Sequence, residues 1–292
     1  MTVLGIDRGA VDGGTCDFVA AKAAGVSFAY LKRSQHIYPD TAYGKESDAA
    51  RAAGLTVGAY IFPSFALKAA SPKAQVLAFK AAQGTIIPKT DFPPMLDVEC
   101  PGGFRALGRP LPDVVADIQT FIMELENAFG CLPVIYTAQT EYWDLNCPAM
   151  TWASECPLFV KTAYRLQARQ LFDQVVAPLP HVGPAALDPK DYYRIPDPWA
   201  KSGWWLNQTQ GDCLGMSGFT STVDIDRFNT ATDAPHIAWT QRKLNKAMSA
   251  TLTDDGALGP KTAAVLAQFQ ASHGVMITGT INLQTFCALA WS

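Results

Sequence analysis

Asp97 and Glu99 stand one residue apart in "PPMLDVECPGG", residues 93–103, where two prolines lead into a short apolar run and Cys-Pro-Gly-Gly ends it. Side chains alternate faces along a strand, so both carboxyls point the same way, with Cα atoms about 6.6 Å apart. Neighbouring carboxylates resist ionising together, so one can keep its proton near neutral pH and act as an acid. Glycoside cleavage needs such a proton donor to the leaving oxygen, and a stabiliser of the oxocarbenium-like state. An acid pair that caps a helix or meets an arginine is the alternative this short run leaves open.

Further acids fall at strand-like ends elsewhere. Asp7 closes "VLGIDRG", and Asp224 and Asp226 lie in the last strand-like run, "STVDIDRF". In a closed barrel the first and last strands are neighbours, so Asp7 can approach an acid of the last one. Aromatic residues accompany them: Tyr60 and Phe62 in "VGAYIF", Tyr136 in "VIYT" and Tyr164 in "KTAY". Together they describe an acidic, aromatic-lined cleft at the carboxyl ends of strands, where α/β barrels assemble their active sites.

The elements that must position these groups follow from periodicity. Strand-like runs ("TVLGID", "VSFAYLK", "TVGAYIF", "FPPMLDVE", "CLPVIYT", "CPLFVKTAY") alternate with helical ones, notably "YGKESDAARAAG", "SPKAQVLAFKAAQG" and "LPDVVADIQTFIMELENAFG". That alternation predicts a parallel sheet or an α/β barrel. Residues 166–203 are proline-rich and aperiodic, either a lid over a site or a surface excursion. "GWWLNQTQ" and "STVDIDRF" then read as strands without a long helix between them. The expectation is a barrel that begins as βα units and ends in plain strands, over residues 1–230. Residues 229–238, "NTATDAPHIA", read as a linker. Three short helical stretches follow, predicting a small helical C-terminal domain over 236–292, for which dimerisation is one plain role.

Composition narrows the classes. The chain has 292 residues, 49% hydrophobic and 17% charged, with a net charge of −3, so it carries no basic footprint for nucleic acid or anionic lipid. No apolar run approaches the roughly 18 residues of a membrane span. "MTVLGIDRG" lacks the basic and apolar regions of a secretory signal, which predicts synthesis in the cytosol. The seven cysteines form no CxxC, and the four histidines keep no metal-ligand spacing with them. Neither a cofactor nor a metal is expected. The thiols are expected to be mostly buried and free, with Cys147 and Cys156 the nearest pair for a disulfide.

In order along the chain, "GIDRG", "GVSFAYLKRSQ", "AARAAGLTVGAYIFP", "FPPMLDVE", "LPVIYT", "CPLFVKTAY" and "NQTQGDCLGMSGFTSTVDIDRF" resemble glycoside hydrolase family 25, the Chalaropsis-type lysozymes. The resemblance implies an α/β fold, a flattened (β/α)5(β)3 barrel, and hydrolysis of the β-1,4 bond between N-acetylmuramic acid and N-acetylglucosamine. It implies Glu99 as general acid and Asp97 as the partner that orients the substrate acetamide or stabilises positive charge. Asp7 and Asp224 would be flanking acids, and Tyr60, Phe62, Tyr136, Tyr164, Gln208 and Gln35 would line the glycan site. The chain departs from the family in three places. "KRSQH" stands where many members have a "KATEG"-like motif, so Gln35 replaces an acid. Arg8 stands where a serine usually follows the first aspartate, and Asn207 replaces a tryptophan before Gln208.

The tail, "DDGALGPKTAAVLAQFQASHGV" followed by "TGTINLQTFCALA", resembles a three-helix peptidoglycan-binding domain through its D-G-x-x-G-x-x-T turn, Asp255 to Thr262, and the Phe269-Gln270 pair. Such a domain would tether the barrel at the wall and raise its effective concentration there. The two resemblances together imply a monomeric phage endolysin whose partner is bacterial peptidoglycan. A secreted antibacterial effector is compatible with the same features. A non-catalytic wall-binding or virion structural protein that keeps the barrel as a sugar scaffold is the competing reading.

Overall fold

The computed structural model describes residues 2–138, Leu145, 150–161, Trp199, 203–230 and 233–292. Tyr164, Cys147 and all of the proline-rich segment except Trp199 and Gly203 lie outside them. In chain order the elements are β1 (Thr2–Arg8), α1 (Phe18–Ala23), β2 (Phe28–Gln35), β3 (Tyr38–Pro39), α2 (Tyr43–Ala52), β4 (Thr56–Phe62), α3 (Pro72–Ala81) and β5 (Met95–Val98). They continue with α4 (Leu111–Phe129), β6 (Val134–Ala138), β7 (Leu158–Lys161), β8 (Leu206–Cys213), β9 (Val223–Asn229), α5 (Ala234–Met248), α6 (Pro260–Ser272) and α7 (Leu283–Ala290). Among the described residues no helix is long and apolar enough to cross a membrane.

Eight strands close into a barrel. From β1 the ladder runs through β2, β4, β5, β6, β7 and β8 in parallel register, and antiparallel β9 bonds to both β8 and β1. The two-residue β3 only extends the edge of β2. The expected order, βα units first and plain strands last, is what closes the sheet.

Local chemistry sets the helix ends. Asp17 Oδ1 caps α1 by accepting from the Val19 and Ala20 amides, both at 3.0 Å. Ser71 Oγ accepts from Ala74 N at 3.3 Å ahead of Pro72, which starts α3. Gly130 ends α4 in the left-handed region, at φ 78°.

Strand alternation sorts side chains into two cores. Ala29, Leu31, Val57, Ala59, Ile61, Leu96 and Val98 pack with the outer helices, whereas Phe28, Tyr30, Tyr60, Met95, Tyr136, Phe159 and Phe228 form a second cluster. Two glycines make room for the inner rings. A Cβ on Gly5 would stand 2.1 Å from the Phe28 ring, and one on Gly58 would stand 2.2 Å from the Tyr30 ring.

That second cluster continues into the C-terminal helices. Phe286 of α7 is fully buried, with ring centroids 4.7 Å from Trp205, 5.3 Å from Phe228 and 6.0 Å from Phe92. The Trp291 indole donates to the Asp91 carbonyl at 2.8 Å. These barrel residues lie at the start of β8, near the end of antiparallel β9 and just before β5, so the helices pack on the end of the barrel opposite the strands' carboxyl mouth. The stretch expected as a linker is therefore mostly structured. β9 runs to Asn229, and α5 begins at Ala234 with Pro235 in its first turn. His236 is buried against the Trp204 carbonyl at 3.0 Å.

Within the tail, two buried glutamines repeat one device. Gln241 donates to Asp255 Oδ1 and Thr262 Oγ1 and accepts from Gly256 N. Gln270 donates to Thr278 Oγ1 and Thr285 Oγ1 and accepts from Gly279 N. Each glutamine ties a glycine turn to the helix after it.

Candidate active site

The mouth is where the predicted acids meet. The register pairs Asp7 with Asp224 across the antiparallel seam and Asp97 with Tyr136 across β5 and β6. Gln208 of β8 sits between the first two. Its amide nitrogen donates to Asp7 Oδ2 and to Asp224 Oδ2, each at 2.8 Å, and its carbonyl accepts from the Tyr136 hydroxyl at 2.7 Å. Asp224 Oδ1 also accepts from Asp212 N at 2.8 Å. Tyr136 and Gln208, expected as substrate contacts, are buried and spend these polar groups on each other and on the carboxyls. They brace the floor of the site.

Burial governs the acids' protonation. Asp7 is held well above the usual carboxylate range by burial first and the Asp224 charge next. Asp97 is raised well above it by burial, then by Glu99 and Asp7. Asp224 is pushed up to about 7, chiefly by burial. Asp226 was noted in the sequence beside Asp224 but given no role. It is fully buried, neither carboxyl oxygen has a hydrogen-bond partner among the described residues, and burial followed by Asp7 and Asp224 raises it well above the usual range. Burial and the neighbouring carboxyls thus favour the protonated forms within this cluster.

Glu99 is placed differently. It follows the last residue of β5, its side chain is 25% exposed, and its Oε2 lies 3.7 Å from the Lys161 ammonium of β7. It lines a cleft of about 610 Å³ together with Lys32, Gln35, His36, Tyr38 and Phe62. Asp97 is buried beneath it, with Oδ1 unpaired among the described residues. Tyr60 is buried beside Asp7 and Asp97, whose charges add to burial in raising its hydroxyl pKa. The structure therefore gathers Asp7, Asp97, Asp224 and Gln208 as a floor, with Glu99, Gln35 and Phe62 on the cleft wall. Tyr164 lies outside the described residues.

Two lysines escaped the sequence reading. Lys161 and Lys32 bring cations to an acidic mouth. Their alternation with Phe159 and Tyr30 was the available signal, since residues two apart on a strand share a face. Arg8 points away from the mouth, its Nε 3.3 Å from Glu46 Oε2 and its Nη2 donating to the Gly13 carbonyl at 2.9 Å. The substitution at that position supports the outer wall rather than the cleft.

Two family models match the chain: glycosyl hydrolases family 25 over residues 8–173, and the peptidoglycan binding domain over residues 233–289. Solved structures with the same fold include the bacterial lysozyme from Streptomyces coelicolor, with a TM-score of 0.60 and 23% identity over 78% of this chain and 92% of that one. The muramidase from Acremonium alcalophilum gives 0.60 and 23%, over 78% and 94%. A family GH25 lysozyme from Aspergillus fumigatus gives 0.58 and 25%, over 79% and 95%. No curated protein matches the chain.

Proposed function

This chain belongs to glycosyl hydrolases family 25, and from that premise we propose that it is an N-acetylmuramidase that cuts the β-1,4 bond between N-acetylmuramic acid and N-acetylglucosamine in bacterial peptidoglycan. The observation that carries the proposal is the stacking of a cleft-facing Glu99 above a buried Asp97, within a mouth that also holds Asp7 and Asp224. Burial and mutual repulsion keep a proton within this group. Glu99 is the member positioned to deliver it to the leaving oxygen. Asp97 lies below, where it can orient the acetamide and stabilise positive charge developing at the anomeric carbon. Gln208 fixes Asp7 and Asp224 so that neither swings into the bond-breaking position. The C-terminal helices, matched by the peptidoglycan-binding model, would hold the same wall from the far end of the barrel. That arrangement suits a lytic enzyme of the endolysin type.

Glu99→Gln tests the assignment. Release of reducing ends from purified sacculi should collapse while sedimentation with sacculi persists. Mass spectrometry of wild-type products should show muramic acid at the reducing end; glucosamine there, or no products, overturns the proposal. Production inside a bacterium with a membrane-permeabilising protein should cause lysis, and intact cells would remove the endolysin role.

A further inference from the structure

The mouth contains one lysine that no carboxylate takes. Lys32 lies two residues after Tyr30 on β2 and so shares its inward face, and only 8% of it is exposed. Gly9, at the end of β1, leaves the space it occupies. A Cβ there would stand 2.6 Å from Lys32 Cε and 3.1 Å from its Nζ. Lys161 has Glu99 as its ion-pair partner. Among the described residues no hydrogen bond or ion pair holds the Lys32 ammonium. Asp97 is buried nearby, but no ion pair joins it to Lys32 among the described residues. The stem of Lys32 is buried and the residue lines the cleft, so its ammonium, without a counter-charge, offers an incoming anion a charge-assisted hydrogen bond.

The cleft walls agree. Its other charges are already engaged: Asp40 accepts from Ala10 N and Ala42 N, each at 2.9 Å, and Glu99 faces Lys161. His36 Nε2 accepts from Ala70 N at 2.9 Å, which places the ring proton on Nδ1 as a donor. Gln35 is exposed on the same wall and offers a neutral amide where a carboxylate would have neutralised Lys32.

We propose that Lys32, assisted by Gln35, anchors a carboxylate-recognising subsite beside the bond-cleaving pair. The inference rests on the muramidase reading and deepens it. In peptidoglycan the carboxylate belongs to the muramyl unit, either to its free lactyl group or to the peptide stem that replaces it. Lys32 would thus read the acid that distinguishes muramic acid from glucosamine, and would set which sugar enters this side of the cleft.

Calorimetric titration with N-acetylglucosaminyl-N-acetylmuramic acid tests this, because that disaccharide lacks the bond a muramidase cuts. One arm uses the stem-free disaccharide and the other the stem-bearing one, each as the acid and as its methyl ester. Wild type should bind the acid about tenfold more tightly than the ester in the arm that carries the recognised group, the scale of one charge-assisted hydrogen bond. Lys32→Met should bind acid and ester alike. Gln35→Glu, at an exposed position and therefore tolerant of change, should lose the preference by supplying Lys32 with its own counter-ion. Equal binding of acid and ester by wild type in both arms overturns the proposal. So does a preference that survives both substitutions. Reducing-end release by wild type is measured in parallel. Discrimination without turnover would keep the subsite and discard the muramidase reading, and turnover without discrimination would do the reverse.

Discussion

Asp7 and Asp224 face each other across the antiparallel seam that closes the barrel, and the same Gln208 nitrogen donates to both at 2.8 Å. One neutral amide therefore spaces two carboxyls that burial would otherwise force apart or oblige to share a proton. The arrangement makes Gln208 a strut of the site.

Gln208→Met keeps the volume and removes both donations. Each lost hydrogen bond is worth about 1 kcal/mol net and leaves a buried partner unmatched, so stability should fall by about 2 kcal/mol in a urea titration. The turnover rate on sacculi should fall by more than the KM rises, because Asp7 and Asp224 lose their placement while the cleft wall stays intact. Wild-type turnover in this variant would contradict the strut.

The acid cluster predicts how stability varies with pH. Asp224 is raised to about 7, and Asp7, Asp97 and Asp226 are raised well above their unfolded values, so the native state binds more protons than the unfolded chain. The stabilisation is fully present below the unfolded pKa near 4 and is lost as pH rises through 7 and beyond. Melting temperature should decline between pH 5 and pH 8. Asp226→Asn should flatten that decline, since an amide in place of the partnerless buried carboxyl cannot ionise. A melting temperature that rises over this interval would refute the assignment.

Phe286 joins the tail to the barrel. Phe286→Ala removes a ring packed among Trp205, Phe228, Phe92 and Trp239 and should cost about 3–5 kcal/mol. In scanning calorimetry wild type should melt in one transition, and the variant should melt lower or split into two. Met276→Ala, at a side chain 75% exposed, should stay within about 0.5 kcal/mol of wild type. Two independent wild-type transitions would favour a loose tether.

Much of this was legible in order along the chain. The βα alternation, the shared face of Asp97 and Glu99 and the neighbouring of first and last strands all follow from periods of 3.6 and 2 and from closure. The tether was not legible as a docked body. Residues 229–238 are polar with a proline, the usual composition of a linker, but Pro235 opens a helix instead of breaking one. The partners of Tyr136 and Gln208 were not legible either. Their type suits a sugar contact, but each polar end found a buried partner one or two strands away.

By itself, the sequence determined the local facts: which residues alternate, where helices are capped, and that carboxyls end several strands. Only the tertiary structure decided what those carboxyls meet. Gln208 comes 201 residues after Asp7, Lys161 comes 62 after Glu99, and Trp291 comes 200 after Asp91. No local period fixes such separations. They are set when the last strand pairs with the first, and when an aromatic surface left at the barrel's far end is removed from water by the final helix.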